Sequence, residues 1–252
     1  MKYKLISCDV LTREVAYCIA RTAHTISPVF TAKGDHNVPG RLRERIQAYI
    51  DAVETEEEKY DAVLLGYGLC GNATMGLQAR SLPLVITRAH DCTTLFLGSK
   101  ILFKDHFADN PSQSWASIGY SERGSRLVSD SRTRMGMGMG TSQTWEELVD
   151  MYGEENAEYI LETLQPNHGS SDLLFLDVPE TRVEEVKQRI EKEAVDSGLA
   201  FRELTGSIRL IEGLLAGNWS EEDYLVIPPG HQISAVYDLE EVMRADAVSD
   251  TM

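Results

Sequence analysis

The chain is read as an α/β protein of two doubly wound, Rossmann-like blocks whose mostly parallel sheets face a cleft. Three observations predict this. Short apolar runs alternate with amphipathic helical patterns over residues 3–88, a similar alternation resumes over 172–228, and three cysteines stand where strand-like runs end.

In chain order, residues 3–7 form the first expected strand. Leu11 to Ala23 follows with apolar residues at Leu11, Val15, Ala16, Ile19 and Ala20, the spacing of one helix face. Cys18 falls within that helix, as a small buried apolar residue would. Residues 27–32 are a second strand, and the turn-forming GDHNVPG leads into a helix over Arg41 to Val53, with Leu42, Ile46, Tyr49, Ile50 and Val53 on one face. Residues 61–67 and 83–88 supply the third and fourth strands. The first block therefore spans 1–123.

From Gly98 onward the periodicity dissolves. Residues 124–140, in which Met135, Met137 and Met139 alternate with glycines, are expected to form a flexible loop. A second block over 141–238 then reads as a long helix over Thr144 to Leu164, strands at 172–178, 200–205 and 223–228, and helices at 182–196 and 207–216. Residues 239–252 are an acidic tail expected to fray.

Composition narrows the function classes. With 252 residues, 42% of them hydrophobic, the chain can bury a sizeable core. No apolar run approaches the roughly 18 residues needed to span a bilayer, and MKYKLISCDV lacks the apolar core of a leader, so a cytoplasmic protein is expected. Four cysteines in that setting point to free thiols, metal ligands or a nucleophile rather than to disulfides. A net charge of −16, from 40 acidic and 24 basic residues, argues against nucleic acid, because tracking phosphates requires clustered Lys and Arg.

Cys8 follows KYKLIS, Cys70 stands in LLGYGLCG, and Cys92 closes LVITRAHDC. Ligands bind at the carboxyl ends of parallel strands, so this placement predicts one thiol cluster. If the fourth strand stays extended to Cys92, His90 points to the same face, and three thiolates with one imidazole suit zinc. A closed site of this kind is structural. Three cysteines with an open fourth position equally suit a [4Fe–4S] cluster that leaves one iron for substrate. Gly66, Gly68 and Gly71 let backbone approach a metal or ligand, while Asp91 and Arg88 would orient His90 or offset thiolate charge. His36, on the same expected edge, is a candidate acid, base or ligand. His231, after Pro228-Pro229-Gly230, would look into the cleft from the second block. His106 and His168 lie in polar stretches and read as exposed. No phosphate loop, dinucleotide fingerprint or nucleophile elbow is present.

The early Ile-Ser-Cys, YGLCG, RAHDC followed by Gly-Ser, YGEENAEYI, and LLAGNW leading to YLVIPPG together resemble the domain-of-unknown-function family 1638, over about residues 4 to 232. The resemblance carries over Cys8, Cys70, Arg88, His90, Asp91 and Cys92, with Gly68 and Gly71 beside them. Genes of that family often lie near corrinoid-dependent methyltransferase systems. The resemblance thus implies anaerobic one-carbon metabolism, with a corrinoid protein or methyltransferase subunit as partner and a small-molecule methyl donor or thiol acceptor as substrate. It is compatible with a zinc–thiolate methyltransferase, a [4Fe–4S] enzyme, or a non-catalytic accessory protein. Ser114-Trp115-Ala116-Ser117 and the Met-Gly run depart from the family pattern.

Overall fold

A computed structural model describes residues 1–108, 113–123, 172–236 and 241–248. The Met-Gly stretch 124–140, the helix expected over 144–164 and His168 lie outside the described residues.

Strand β1 (Lys2–Cys8) leads through a 3-10 turn, Asp9–Leu11, into helix α1 (Thr12–Ile19) and strand β2 (Thr25–Thr31). A second 3-10 turn (Lys33–Asn37) enters helix α2 (Pro39–Val53), whose proline at the first helical position lacks only an N–H that the helix start would leave unpaired. Strands β3 (Ala62–Gly66) and β4 (Leu84–Thr87) follow. Strand β1 pairs in parallel with both β2 and β3, and β3 with β4, so the order is β2-β1-β3-β4. The chain steps from β1 to one side and then crosses to the other, and the order reverses at β1. All four carboxyl ends share one edge.

Side chains alternate between the faces of a strand, and here the alternation sorts residues into two cores. Leu5 and Leu64 pack with Val15 and Cys18 of α1. Ile6, Val63 and Leu65 pack with Leu42, Ile46, Ile50 and Val53 of α2. Burying each such aliphatic side chain contributes about 1.5–3 kcal/mol, which is why the α2 stripe rather than helix propensity holds that helix in place. Cys18, 3% exposed, is the apolar core residue expected of it.

After β4 the chain forms two short helices, α3 (Cys92–Leu97) and α4 (Lys100–Phe103), then strand β5 (Ser114–Ala116) and helix α5 (Ile118–Glu122). Strand β5 pairs in parallel with β6 (Asp172–Asp177), and β6 with β7 (Ala200–Thr205), giving a second, smaller parallel sheet. Helix α6 (Glu184–Asp196) covers one face of it through Ile190 and Ala194, against Leu173 and Phe175. Leu174 and Leu176 join the core of the first sheet, together with Leu210, Ile211, Leu214 and Leu215 of helix α7 (Arg209–Ala216).

The architecture is thus mixed α/β with mostly parallel sheets, but two elements depart from the sequence reading. The strand expected at 223–228 is β8 (Tyr224–Ile227). It belongs to the first sheet, antiparallel to β4, and not to a second block. An apolar run specifies burial but not its partner; here Tyr224 also donates its hydroxyl to the Leu210 carbonyl of α7 (2.8 Å), tying the strand to the helix that precedes it. The tail contains strand β10 (Met243–Ala247), antiparallel to β9 (His231–Ala235), with Met243 fully buried. Among the described residues no helix is long and apolar enough to cross a membrane.

One buried acid marks the seam between α1 and the smaller sheet. Glu14, 2% exposed, accepts a hydrogen bond from Thr181 Oγ1 (2.6 Å), while its Oε2 has no partner among the described residues. Burial pushes its carboxyl above the ordinary 4.5. The folded state therefore binds this proton more tightly than the unfolded chain. The cost of ionising it is present above the raised value and fades as pH falls through it toward the ordinary value. Glu14→Gln is expected to raise stability at pH 7 by about 1 kcal/mol, with the gain shrinking toward pH 4. Urea unfolding at both pH values checks this, and equal midpoints at pH 7 would contradict it.

Candidate functional site

Three connections meet at the carboxyl edge. Cys8 is the last residue of β1, beside Thr31 of β2 in register. Cys70 lies in the loop after β3, where it begins a run of three left-handed residues, Cys70 (φ 48), Gly71 (φ 63) and Asn72 (φ 67). A non-glycine residue seldom adopts that conformation, so the loop around Cys70 is held by its surroundings. The hold is visible in two bonds to the neighbouring loop, Leu69 N–H to the Ala89 carbonyl and Cys70 N–H to the His90 carbonyl, both 2.9 Å. Gly68 permits the approach: a Cβ there would sit 2.5 Å from Ala89 O and 2.8 Å from Asp91 N.

Cys92 is reached differently from what the sequence suggests. The chain does not stay extended after β4. It bends through Arg88–Asp91, and Cys92 is the first residue of α3. Asp91 caps this helix, its Oδ1 accepting from Thr93 N–H (2.9 Å) and Thr94 N–H (3.4 Å). With the strand ended, the same-face argument for His90 no longer holds. The imidazole stacks on Phe103 with ring centroids 5.2 Å apart, and the charges acting on it are those of Asp91 and Lys100. Its Nε2 is buried without a partner among the described residues, and burial pushes its pKa down, so the ring is neutral near pH 7.

The three thiols are half-buried and lie within electrostatic range of one another. Burial pushes Cys8 up to about 11, opposed by a hydrogen bond from the Val10 N–H. It pushes Cys70 up to about 12, with the charges of Cys8 and Asp91 adding to the rise and a Gly68 N–H opposing it. Cys92 is raised well above its ordinary value by burial, Asp91, Cys70 and Cys8. Thiols so shifted are poor nucleophiles at neutral pH, because the thiolate is the reactive form. Among the described residues no three His, Cys, Asp or Glu side chains stand already arranged to hold a metal ion.

The remaining expected site residues separate into two groups. Asp91 and Gly68 belong to the cluster's framework. His36 sits on the same edge, half-buried beside Lys33 and Asp35, with its pKa lowered by burial. Arg88 is occupied elsewhere: its guanidinium donates to the carbonyls of Glu221, Tyr224, Glu241 and Met243, tying β8 and β10 to the end of β4. Gly71 is exposed, with open space where a Cβ would stand. His231 begins β9 and meets the Pro229 carbonyl (3.1 Å), and His106 is exposed as expected.

Three residues absent from the sequence reading complete the surroundings. Tyr67 is fully buried, with its hydroxyl 2.7 Å from Thr31 Oγ1, and feels Cys8 and Cys70. Tyr120 of α5 faces Cys92 and Cys8, its ring 4.5 Å from that of Trp115. Lys33, two residues beyond β2, lies near Cys92, Cys8 and Asp9. The edge rule that selected the cysteines applies equally to Lys33. Tyr120 lies where apolar periodicity is lost, so no sequence signal marked it.

Neither curated proteins nor solved structures gave a match to the chain. A family model does match, over residues 30–215, which take in Lys33, Cys70, Cys92 and Tyr120 and begin after Cys8. The chain belongs to the family described as Protein of unknown function (DUF1638).

Proposed function

We propose that this is a metal-binding cytoplasmic protein that holds one ion through Cys8, Cys70 and Cys92. The observation that carries the proposal is their arrival from the ends of three adjacent parallel strands, β1, β3 and β4, at the point where strand order reverses. Helices buried on both faces of the larger sheet support the doubly wound reading, and Tyr120 opposite Cys8 and Cys92 supports a cleft there. The donor set fits zinc: soft thiolates, two of the three thiols receiving backbone N–H bonds, and a lysine close by. Closing the site requires the thiols to turn about their single χ1 torsions onto a common centre.

With His90 turned to Phe103, the ligand set is three thiolates and an open fourth position, the arrangement of a catalytic rather than a structural site. A zinc ion there would act as a Lewis acid toward a donor atom at the open position, the chemistry a methyltransferase working with a corrinoid protein requires. The same open position keeps the [4Fe–4S] reading in play. The residues of the chain itself would supply the thiolates, the capped helix that fixes Cys92, and an aromatic wall that limits water.

Metal analysis of anaerobically purified protein tests the proposal. One equivalent of zinc is expected, falling to near zero in Cys70→Ser. A brown protein that bleaches in air would assign the cluster instead. Substoichiometric metal that is unchanged in Cys70→Ser would refute both.

A further inference from the structure

Lys33 carries a charge that nothing in the fold of its own segment explains. The residue follows β2 at the edge where Thr31 pairs with Cys8, and it is half-buried. Its ammonium donates to the Tyr120 carbonyl (3.3 Å) and lies 3.4 Å from the centroid of the Tyr120 ring. Among the described residues it forms no ion pair, while the nearby Asp35 is already held by Arg45 at 2.7 Å. Helix α5 is pressed against the turn after Cys8, since a Cβ on Gly119 would lie 2.1 Å from the Val10 carbonyl. The Tyr120 ring and carbonyl therefore hold the ammonium beside the thiols. The charged groups acting on the cluster are then Lys33, Asp9, Asp91 and Asp35, the last of them paired with Arg45.

We propose that Lys33 is the counter-ion of the thiolate cluster, positioned by Tyr120, and that the fourth position on the metal accepts a neutral donor in preference to an anion. The inference rests on the metal-binding reading above. A divalent ion with three thiolates carries one net negative charge, which a protonated Lys33 cancels. An oxidised [4Fe–4S] cluster on three thiolates carries the same charge. In a partly buried site each uncompensated charge is costly, so neutralising the complex favours its formation. An anionic fourth ligand would restore a negative charge beside Asp9 and Asp91. A neutral ligand, such as an imidazole, an amine or a thioether, would not. The ligand class follows from this balance: a neutral nitrogen or sulfur donor small enough to lie against Tyr120 and Trp115.

Cobalt(II) serves as the probe, since its visible and near-ultraviolet bands report both thiolate ligation and a change of fourth ligand. Affinity is read by competition with a chelator. Lys33→Met, which keeps the length of the stem, is expected to weaken cobalt binding about ten-fold or more, and Lys33→Arg to stay within about three-fold of the parent. Tyr120→Leu removes the ring beneath the ammonium but keeps the carbonyl to which it donates, and is expected to weaken cobalt binding about three-fold, less than Lys33→Met; unchanged affinity would overturn the positioning role. On the cobalt-loaded parent protein, imidazole is expected to alter the visible bands at lower concentration than azide. Equal cobalt affinity in the parent and Lys33→Met would overturn the counter-ion role and leave metal binding intact, as azide binding at least as tightly as imidazole would overturn the ligand class. Parent protein that shows no thiolate-to-cobalt band would overturn both this inference and the metal-binding reading.

Discussion

Zinc added to the metal-free protein at pH 7 is expected to expel about three protons per ion. The expectation follows from the proposed ligand set and from the state of its thiols. Burial places Cys8 at about 11, and burial with repulsion from neighbouring thiols and Asp91 places Cys70 at about 12 and Cys92 well above its ordinary value, so all three are protonated at neutral pH. Coordination requires the thiolate, and each ligand loses its proton to solvent on binding. The sign is fixed by this. Apparent affinity rises with pH, by about a thousand-fold per unit near neutrality if three protons leave, and flattens only as pH approaches the lowest of the three thiol values. Acidification should therefore strip the metal well before it unfolds the protein. Calorimetry in buffers of different ionisation enthalpy reads the proton count directly, and a count of one or fewer would rule out coordination by three thiolates.

Gly68→Ala is expected to damage the site far more than Gly71→Ala. The added methyl would stand 2.5 Å from Ala89 O, 2.9 Å from Ala89 C and 2.8 Å from Asp91 N. All three are backbone atoms, so no rotamer change relieves the clash. The 68–70 and 89–92 loops must part, breaking the paired bonds from Leu69 N–H and Cys70 N–H and separating Cys70 from Cys92. Overpacking and two lost hydrogen bonds together cost about 3 kcal/mol. Gly71→Ala is the comparison: its Cβ meets open space, and only the left-handed φ of 63 is strained, at about 1 kcal/mol. Urea denaturation of the two variants distinguishes them, and a Gly68→Ala midpoint no lower than that of Gly71→Ala would mean the loops are not in contact.

Most of the first sheet was legible in the sequence, because each strand is a short apolar run and each covering helix has a clean stripe. Lys2–Cys8, Thr25–Thr31, Ala62–Gly66 and Leu84–Thr87 fall within about two residues of expectation, as do the α2 and α6 helices. Helix α3 was not legible. Its six residues are too few for a period, and RAHDC reads as the extended end of a strand until Asp91 is recognised as a cap. The bend removes the same-face argument that had joined His90 to Cys92, and the imidazole stacks on Phe103. The partner of β8 was equally hidden, since YLVI specifies a buried strand without saying which sheet it joins.

The sequence by itself determined that Cys8, Cys70 and Cys92 share an edge. Their placement depends on where local apolar runs end and on the rule that parallel strands bring their carboxyl ends together. Only the tertiary structure decided what surrounds them. Lys33, Tyr67 and Tyr120 reach the thiols from elements far apart in the chain, through contacts that leave no periodic trace. A lysine and two tyrosines thereby came to surround the three thiols, because burial and close packing, not spacing along the chain, set which groups face one another.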